Sequence, residues 1–358
     1  MTNANPAPYR AQAKHRHPTE WWLERACEVI LSVLDVEHAV TSSELVARAS
    51  DRAWLLPSSP CQHPIDPHWL VNARNKLLEE ERLARTDAPS KGHPKDITTW
   101  HVPRARGVNR LIDDASQRKR LLTARHTGWS RRGGGGRGLI GRAGENALDT
   151  ALREATAVTN VSGSTWKVLG VDLHPVGLGE IDNTSFYIDT SDAGRPQLIQ
   201  LVFEVKNTRE WYYPDNHELL RFLKKVATIQ QQRPTQLIAP IFVCRRYQYQ
   251  VWELGEILGF LPVRVDQQLV LPDHYLTQAS FDEVWHGLGF QDMLLGDAPT
   301  NRHRGMIATA IPRRALTVAQ RWRRGYEQVL SDLSASNADD ATAEQVLLPT
   351  DIDDDELF

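Results

Sequence analysis

The sequence predicts an α/β protein in which a core of mixed helices and strands follows a separate N-terminal domain. Its 358 residues, at about 150 residues per domain, are enough for two hydrophobic cores. Hydrophobic residues make up 41% and charged residues 24%, a globular composition that excludes a mainly disordered or fibrous chain. Between residues 140 and 260, apolar runs of strand length alternate with helical periodicity, which is the pattern of an α/β core.

Cysteine usage and hydropathy bear on the compartment. Cys27, Cys61 and Cys244 show no C-x-x-C spacing, so we expect neither a disulfide framework nor a zinc ribbon, and a cytoplasmic location. The longest apolar run, residues 237–244, is far shorter than the ~20 residues that cross a bilayer. The N-terminus lacks the apolar core of a secretory signal. We therefore expect no membrane partner.

The net charge of −3 hides an uneven distribution. Residues 101–142 hold eleven Arg or Lys and two Asp, and residues 301–326 hold seven Arg and no acidic residue. Residues 331–358 hold nine acidic residues and no Arg or Lys. The basic segments suit contact with phosphate, which points to DNA as a partner.

Residues 19–103, which follow a loose arm at 1–18, predict a small domain of three helices and a β-hairpin. Thr19 and Asp66 are placed to cap the first and third helices, and T-S-S-E at residues 41–44 has the capping-box spacing of a second helix. L-A-R-T and I-T-T-W-H-V then flank a turn-rich segment. This order of elements is that of a winged helix.

The third helix of this domain is the candidate DNA reader. Arg74, Asn75 and Lys76 lie near its exposed side, and a recognition helix contacts base edges from such positions. The alternative is a small helical domain used for packing or dimerisation.

Residues 104–137 predict a basic helix and a glycine-rich linker. The helix covers about residues 108–125, with Leu111, Ile112, Ala115, Leu121 and Leu122 near one side. The following G-R-G-L-I-G matches G-x-G-x-x-G, but no apolar strand precedes it, so we discount a dinucleotide site. A flexible basic linker is preferred; the alternative is a phosphate held by backbone N–H and Arg groups.

Residues 138–300 predict the α/β core. A helix at about residues 140–155 is followed by a strand and loop at 165–176. Strands are predicted at residues 179–189, 197–207 and 236–244, and helices at about residues 215–232 and 249–259.

Three polar residues in these apolar strands need a physical reason. Glu204 and Lys206 are two positions apart, so they lie on the same side of one strand, and Asp182 lies in another. Burying an unpaired carboxylate is costly, and Asp182 with Glu204 offers two hard oxygen donors that suit Mg²⁺. Lys206 could orient or help deprotonate a metal-bound water, and Glu145 on the leading helix could complete the shell or hold a second metal. The implied reaction is in-line attack of water on a phosphodiester.

The ordered set of Glu145 in G-E-N-A-L, Asp182 in G-E-I-D and Glu204 with Lys206 in F-E-V-K resembles the PD-(D/E)xK nuclease superfamily. It is most similar to the branch of Holliday-junction resolvases and Mrr-type restriction endonucleases. The resemblance spans about residues 138–265. It implies a restriction-endonuclease-like α-β-β-β-α-β core, Mg²⁺ held by Asp182 and Glu204 with Mn²⁺ able to substitute, Glu145 as the helical acid and Lys206 as the lysine of the E-x-K element.

The sequence departs from the superfamily pattern. Ile181 replaces the usual proline before the aspartate, and Asp189 rivals Asp182 for the aspartate position. The alternative to an active site is a solvated Glu–Lys pair with a helical salt-bridge acid. Residues that could contact substrate are Gln230, where related enzymes carry a glutamine, and Arg209, Arg142 and Arg74.

The C-terminal region predicts a basic helix within residues 301–333 and a disordered acidic tail at 334–358. The final D-I-D-D-D-E-L-F resembles the acidic tip of bacterial single-stranded-DNA-binding proteins. By that resemblance Asp353, Asp354, Asp355 and Phe358 would dock a basic, partly apolar pocket on a repair or replication protein. The alternatives are a solubilising tail and a tail that covers the chain's own DNA surface.

Together these patterns predict a Mg²⁺-dependent DNA endonuclease acting in prokaryotic restriction, antiphage defence or DNA repair. One alternative is a catalytically inactive nuclease-fold protein that binds DNA or regulates another protein. Another is an adaptor that recruits repair proteins through its acidic tail. Cutting both strands of a duplex with one site per chain would favour a homodimer.

Overall fold

The computed structural model describes residues 18–51, 65–91, 93–105, 107–132, 138–191, 195–274 and 276–336. The chain forms two compact units. The first runs to Leu139 and also takes in Pro272–Leu295, and the second comprises Ile140–Leu271 and the chain from Gly296. This division differs from the predicted boundaries, because residues 272–295 belong to the first unit and the helix after residue 301 belongs to the second.

The first unit begins with helices and a small antiparallel sheet. Its elements before residue 130 are α1 (Thr19–Glu37), β1 (Ala39–Thr41), α2 (Ser42–Val46) continuing into a π-helical turn (Ala47–Asp51), α3 (Pro67–Glu79), β2 (Ala84–Ala88), β3 (Ile97–His101) and α4 (Asn109–Trp129). The strand order of the sheet is β1-β3-β2. Helices α1 and α3 pack through buried apolar side chains that include Ala26, Ile30, Leu70 and Leu77.

Two of the three predicted caps are confirmed. The Thr41 hydroxyl accepts a hydrogen bond from the backbone N–H of Glu44 at 3.4 Å, and the Asp66 carboxylate accepts one from His68 N–H at 3.2 Å. The expectation for Thr19 is wrong. Helix α1 has Pro18 at its N-cap and no side-chain capping bond.

The predicted apolar side of α4 is partly wrong. Leu111 and Leu121 are 46% and 50% exposed, whereas Ile112, Leu122 and Lys119 are buried. The buried positions follow the helical period of three to four residues, and that stripe includes a lysine. Lys119 Nζ lies 2.6 Å from a carboxylate oxygen of Glu37 and also pairs with Glu44. The interior of this unit therefore holds an ion-pair network as well as apolar side chains.

The second unit is a mixed α/β structure around a five-stranded sheet. Its first elements are α5 (Gly138–Glu154), β4 (Thr159–Ser162), β5 (Lys167–Val168), β6 (Val171–Asp172), a 3₁₀ turn (His174–Val176), β7 (Asn183–Asp189), β8 (Gln197–Tyr212), α6 (His217–Gln232), β9 (Leu237–Tyr247), α7 (Tyr249–Leu258), β10 (Leu261–Arg264) and β11 (Gln268–Val270). The strand order of the sheet is β10-β9-β8-β7-β4. Strands β4, β7 and β8 are antiparallel neighbours, and β8, β9 and β10 are parallel.

The chain then contributes α8 (Gln278–Gly287) and β12 (Met293–Leu295) to the first unit and returns to the second. There it forms α9 (Asn301–Gly305), a π-helical turn (Met306–Ala310) and α10 (Ile311–Ser336). The predicted basic helix is confirmed in α10, whose Trp322 is buried in the core with residues of α6 and β9. No helix in the described ranges has the length and apolar character to cross a membrane.

Both faces of the five-stranded sheet are covered. Val202 and Phe242 pack under α6, whereas Leu201 and Phe203 pack under α5. The predicted strand at residues 165–176 is instead a short two-stranded hairpin outside the main sheet, and the edge strand is β4. Strand β4 has the sequence T-N-V-S, which is too polar to give the alternation typical of a strand.

Candidate active site

The acidic and basic residues of the F-E-V-K segment lie together on β8. Glu204 is 4% exposed, and its Oε1 lies 3.0 Å from Lys206 Nζ. Both side chains share the sheet face of Val202, which α6 covers. The prediction that they lie on the same side is confirmed.

Asp182 lies immediately before β7, beside the F-E-V-K segment. Asn183 pairs with Phe203, which brings Asp182 level with Glu204. The Asp182 Oδ2 accepts a hydrogen bond from the backbone N–H of Val205 at 2.7 Å. The Asp182 carboxylate is therefore held against the strand that carries Glu204.

The electrostatics of Asp182 show that several carboxylates crowd one place. Burial, followed by the negative charge of Glu204 and then of Glu145, raises the pKa of Asp182 to about 7. The Val205 N–H and the Lys206 ammonium act in the opposite direction. A cation placed among these acids would relieve their repulsion.

Glu145 reaches this region from α5, on the other face of the sheet. A glycine makes the approach close, because a Cβ at Gly144 would lie 2.7 Å from Asn207 Cβ and 3.2 Å from Val205 Cγ1. The Asn207 amide then donates to the carbonyl of Ile140 at 2.6 Å. Strand β8 and helix α5 are thus fixed to each other where they carry their acidic residues.

Sequence reasoning missed Glu218, and it considered Lys225 only as a phosphate contact or as part of a solvated helix face. Lys225 is 4% exposed, and its Nζ donates to Glu204 Oε2 at 2.8 Å and to the carbonyl of Glu180 at 2.7 Å. Glu218 Oε2 accepts a hydrogen bond from Lys206 at 2.6 Å. One signal was available: Lys225 sits between Phe222 and Val226, on the apolar side of α6.

The protonation state of Lys206 bears on the chemical role that its side chain can have. Burial alone would lower the pKa of its ammonium, but Glu204 and Glu218 raise that pKa above its usual range. The ammonium therefore stays protonated at neutral pH. In this form Lys206 can donate hydrogen bonds and offset negative charge.

The donor set fits a magnesium ion. The described ranges contain no group of three or more His, Cys, Asp and Glu side chains arranged to hold a metal, but Mg²⁺ is commonly bound by one or two carboxylates together with waters and substrate phosphate. Asp182 and Glu204 supply two such carboxylates. Each oxygen of Glu204 has an ammonium partner, and a carboxylate oxygen has a second lone-pair direction.

Asp189, the rival aspartate, does not belong to this cluster. Its Oδ1 accepts a hydrogen bond from the backbone N–H of Ser191 at 2.9 Å and closes the turn after β7. Asp182 directly precedes β7 and Asp189 is its last residue, seven positions further along the chain. The choice of Asp182 over Asp189 agrees with the geometry.

Two of the predicted substrate contacts, Gln230 and Arg74, have hydrogen-bond partners within the protein. Gln230 is fully buried, and its amide donates to the carbonyls of Arg233 and Gln236 in the turn before β9. Arg74 donates to the Ser42 hydroxyl at 2.8 Å and lies 4.7 Å over the Trp100 ring, and burial lowers the pKa of its guanidinium. Both groups serve local packing.

The other predicted contacts have the following locations. Arg142 and Arg209 are half-buried, on α5 and β8. The docking residues of the tail, Asp353, Asp354, Asp355 and Phe358, lie outside the described residues, as do the glycine-rich segment at 133–137 and the arm up to residue 17.

A group of arginines lies two strands away from Lys206. Asp266 accepts from Arg246 at 2.7 Å, Arg264 at 2.8 Å and Arg302 at 2.9 Å, so three guanidinium groups share one carboxylate. Cys244 pairs in register with Lys206 on one side and with Arg264 on the other, and residues paired in register project from the same face of a sheet. Adjacent strands are about 4.8 Å apart, which puts the Cα atoms of Arg264 and Lys206 about 10 Å apart.

Comparison with known proteins gives no match. No family model matches the chain, and no curated protein and no solved structure matches it.

Proposed function

We propose that the second unit is a Mg²⁺-dependent nuclease that hydrolyses phosphodiester bonds of DNA. The observation that carries the proposal is the convergence of Asp182, Glu204 and Lys206 at one point of the sheet. Two carboxylates and a protonated amine at one place are the groups that phosphodiester hydrolysis needs: oxygen ligands for a divalent ion and a fixed positive charge near the scissile phosphate.

The order of elements supports a nuclease-like fold. The sequence α5, β4, β7, β8, α6, β9, with the β5–β6 hairpin inserted after β4, is the α-β-β-β-α-β order that the PD-(D/E)xK resemblance implies. In the first unit, three helices precede the β2–β3 hairpin. That order supports a winged-helix-like DNA-binding domain.

Each residue has a defined task in the proposed reaction. Asp182 and Glu204 would hold Mg²⁺, which when bound would supply a Lewis acid and a more acidic water. Lys206, held by Glu204 and Glu218, donates a hydrogen bond to the negative charge that develops on the phosphate oxygens. Because its ammonium is oriented before substrate binds, little reorganisation accompanies the reaction.

The arginine group around Asp266 supports a nucleic-acid substrate. Three guanidinium groups gather around Asp266, two strands away from Lys206, and Arg302 is 41% exposed by side chain. Arginine binds phosphate with its planar fork of donors. In our proposal Arg264 and Arg302 contact a phosphate one or two nucleotides from the scissile bond.

A cleavage assay tests the proposal. Purified full-length protein is incubated with plasmid, single-stranded and branched DNA in Mg²⁺, Mn²⁺ or EDTA. We expect cleavage that depends on the metal ion, that is lost in Asp182→Asn and Glu204→Gln, and that persists in the matched variant Asp189→Asn. No cleavage of any substrate, or full activity in Asp182→Asn, would overturn it.

One observation favours a second function. Both carboxylate oxygens of Glu204 already have an ammonium partner, so the charge of Glu204 is balanced without a metal. A DNA-binding protein that keeps a nuclease-like scaffold without catalysis would look the same. It would bind DNA in a salt-sensitive way, and EDTA and Glu204→Gln would not change the affinity.

A further inference from the structure

The inference concerns Lys225 and rests on the proposed function. Lys225 projects from α6 into the sheet, and its ammonium bonds to Glu204 Oε2 and to the backbone carbonyl of Glu180. At 4% exposure it is as buried as Glu204 itself. A buried ammonium needs such partners, because moving it out of water is otherwise costly.

The location of the Lys225 ammonium bears on how many metal ions the site can hold. In sites with two metal ions, the ions lie about 3.5–4 Å apart, and a carboxylate that bridges them gives one oxygen to each. Glu204 faces Lys206 with Oε1. Its Oε2 faces Lys225 at 2.8 Å. The direction in which a second ion would share Glu204 is thus taken by a positive charge that belongs to the chain.

We propose that the Lys225 ammonium takes the place of a second divalent ion, so that the site holds one Mg²⁺, between Asp182 and Glu204.

The local charge agrees with one ion. Asp182, Glu204 and Glu218 lie around the two ammonium groups, and Glu145 also acts on Asp182. Lys206 and Lys225 already bring two positive charges to these carboxylates. A second divalent ion would add two more positive charges beside the two ammonium groups in a largely buried site, which is unfavourable in a low dielectric.

Metal stoichiometry tests the proposal without any measurement of cleavage. Calorimetric titration of the full chain with Mn²⁺ and with Ca²⁺ counts the ions, and the electron paramagnetic resonance spectrum of bound Mn²⁺ shows whether ions are isolated or spin-coupled. We expect one isolated ion in the wild type. In Lys225→Met, which keeps the length of the side chain and removes the charge, we expect two coupled ions. Lys224→Met, its neighbour on the same helix, should still bind one.

Each outcome has a defined meaning. Two coupled ions in the wild type, or a single ion in folded Lys225→Met, would overturn the role of Lys225 and leave the nuclease proposal standing. No bound ion in the wild type would overturn the proposed function itself. If Lys225→Met does not fold, the number of ions bound by the wild type and by Lys225→Arg tests the proposal instead. Lys225→Arg keeps the positive charge and should bind one isolated ion. A second ion in that variant contradicts the proposal.

Discussion

The carboxylate of Asp182 is tied to the neighbouring strand by the backbone N–H of Val205, at 2.7 Å. A backbone donor has no rotamer freedom, so this bond fixes Asp182 beside Glu204 before any ligand arrives. Two carboxylates held side by side in a partly buried place repel each other. The energy of that repulsion is stored in the metal-free protein.

Replacing Asp182 by Asn should therefore stabilise the metal-free protein. The pKa of Asp182 is raised to about 7 in the fold, so its contribution to stability is present below the unfolded pKa of about 3.9 and is lost as pH rises through 7. In EDTA at pH 8, we expect Asp182→Asn to raise the free energy of unfolding by about 2–4 kcal/mol, and at pH 4 by almost nothing. Urea denaturation measures both values.

Added Ca²⁺ provides the control for this variant. It should stabilise the wild type at pH 8 and leave Asp182→Asn unchanged, because binding to the folded state alone shifts unfolding by mass action. Equal stability of the two proteins at pH 8 in EDTA would contradict the crowding of carboxylates.

A second prediction concerns Gly144, where α5 approaches β8. A methyl group there would lie 2.7 Å from Asn207 Cβ, so Gly144→Ala must push the helix away and move Glu145 with it. We expect a loss of about 1–3 kcal/mol in the free energy of unfolding, together with weaker Mn²⁺ binding.

Gly128→Ala is the matched control for Gly144→Ala. Gly128 is also helical, and a Cβ there meets nothing within 4 Å. It should stabilise the protein by up to about 1 kcal/mol, the difference in helix propensity between Gly and Ala. A tolerated alanine at residue 144 would mean that the close approach is not needed.

A third prediction separates the orientation of Lys206 from its charge. Glu218→Gln removes one ionic partner of Lys206 and leaves Glu204 in contact. One charge-assisted hydrogen bond contributes about 1–2 kcal/mol, so we expect about tenfold slower cleavage with unchanged DNA affinity. The control variant Glu210→Gln changes an exposed acidic residue on β8, the strand of Lys206. This variant should cleave DNA at the wild-type rate. Full activity of Glu218→Gln would show that Lys206 needs no second carboxylate.

A fourth prediction tests the arginine group near the site. If Arg302 contacts a phosphate, Arg302→Gln should weaken DNA binding and reduce the slope of log affinity against log salt by about one. Arg153→Gln removes an exposed arginine that pairs with Asp149 in the same unit, and its slope should equal that of the wild type. An unchanged slope in Arg302→Gln would remove this residue from the DNA contact.

The central strands could be predicted from sequence because of where they lie. Strands β8 and β9 are covered on both faces, so they read as continuous apolar runs in which Glu204 and Lys206 stand out. The edge strand β4 could not be predicted, since one exposed side leaves it polar. The return of residues 272–295 to the first unit is likewise a tertiary property, which no local pattern encodes.

The buried lysines show a different limit of prediction from the sequence. Lysine is usually exposed, and the sequence alone did not single out Lys119 and indicated only a phosphate contact or a solvated position for Lys225. Both are buried against glutamates. For Lys225 the helix period placed it among apolar residues. Its partner Glu204 comes from a strand 21 positions away, so only the fold could identify the pair.

The last prediction concerns pH and His303, a buried residue in the capping box of α9. Burial, and then the charge of Arg304, lowers the pKa of His303 to about 4. Between about pH 6.5 and 4 the unfolded chain therefore binds a proton that the folded chain does not, and stability falls as pH falls through this window. His303→Gln keeps the capping box, because Gln at this position also accepts from the backbone N–H of Thr300. From pH 7.5 to 5 we expect the wild type to lose about 2 kcal/mol more than His303→Gln in urea denaturation. Equal losses in the two proteins would mean that His303 is protonated without cost in the fold.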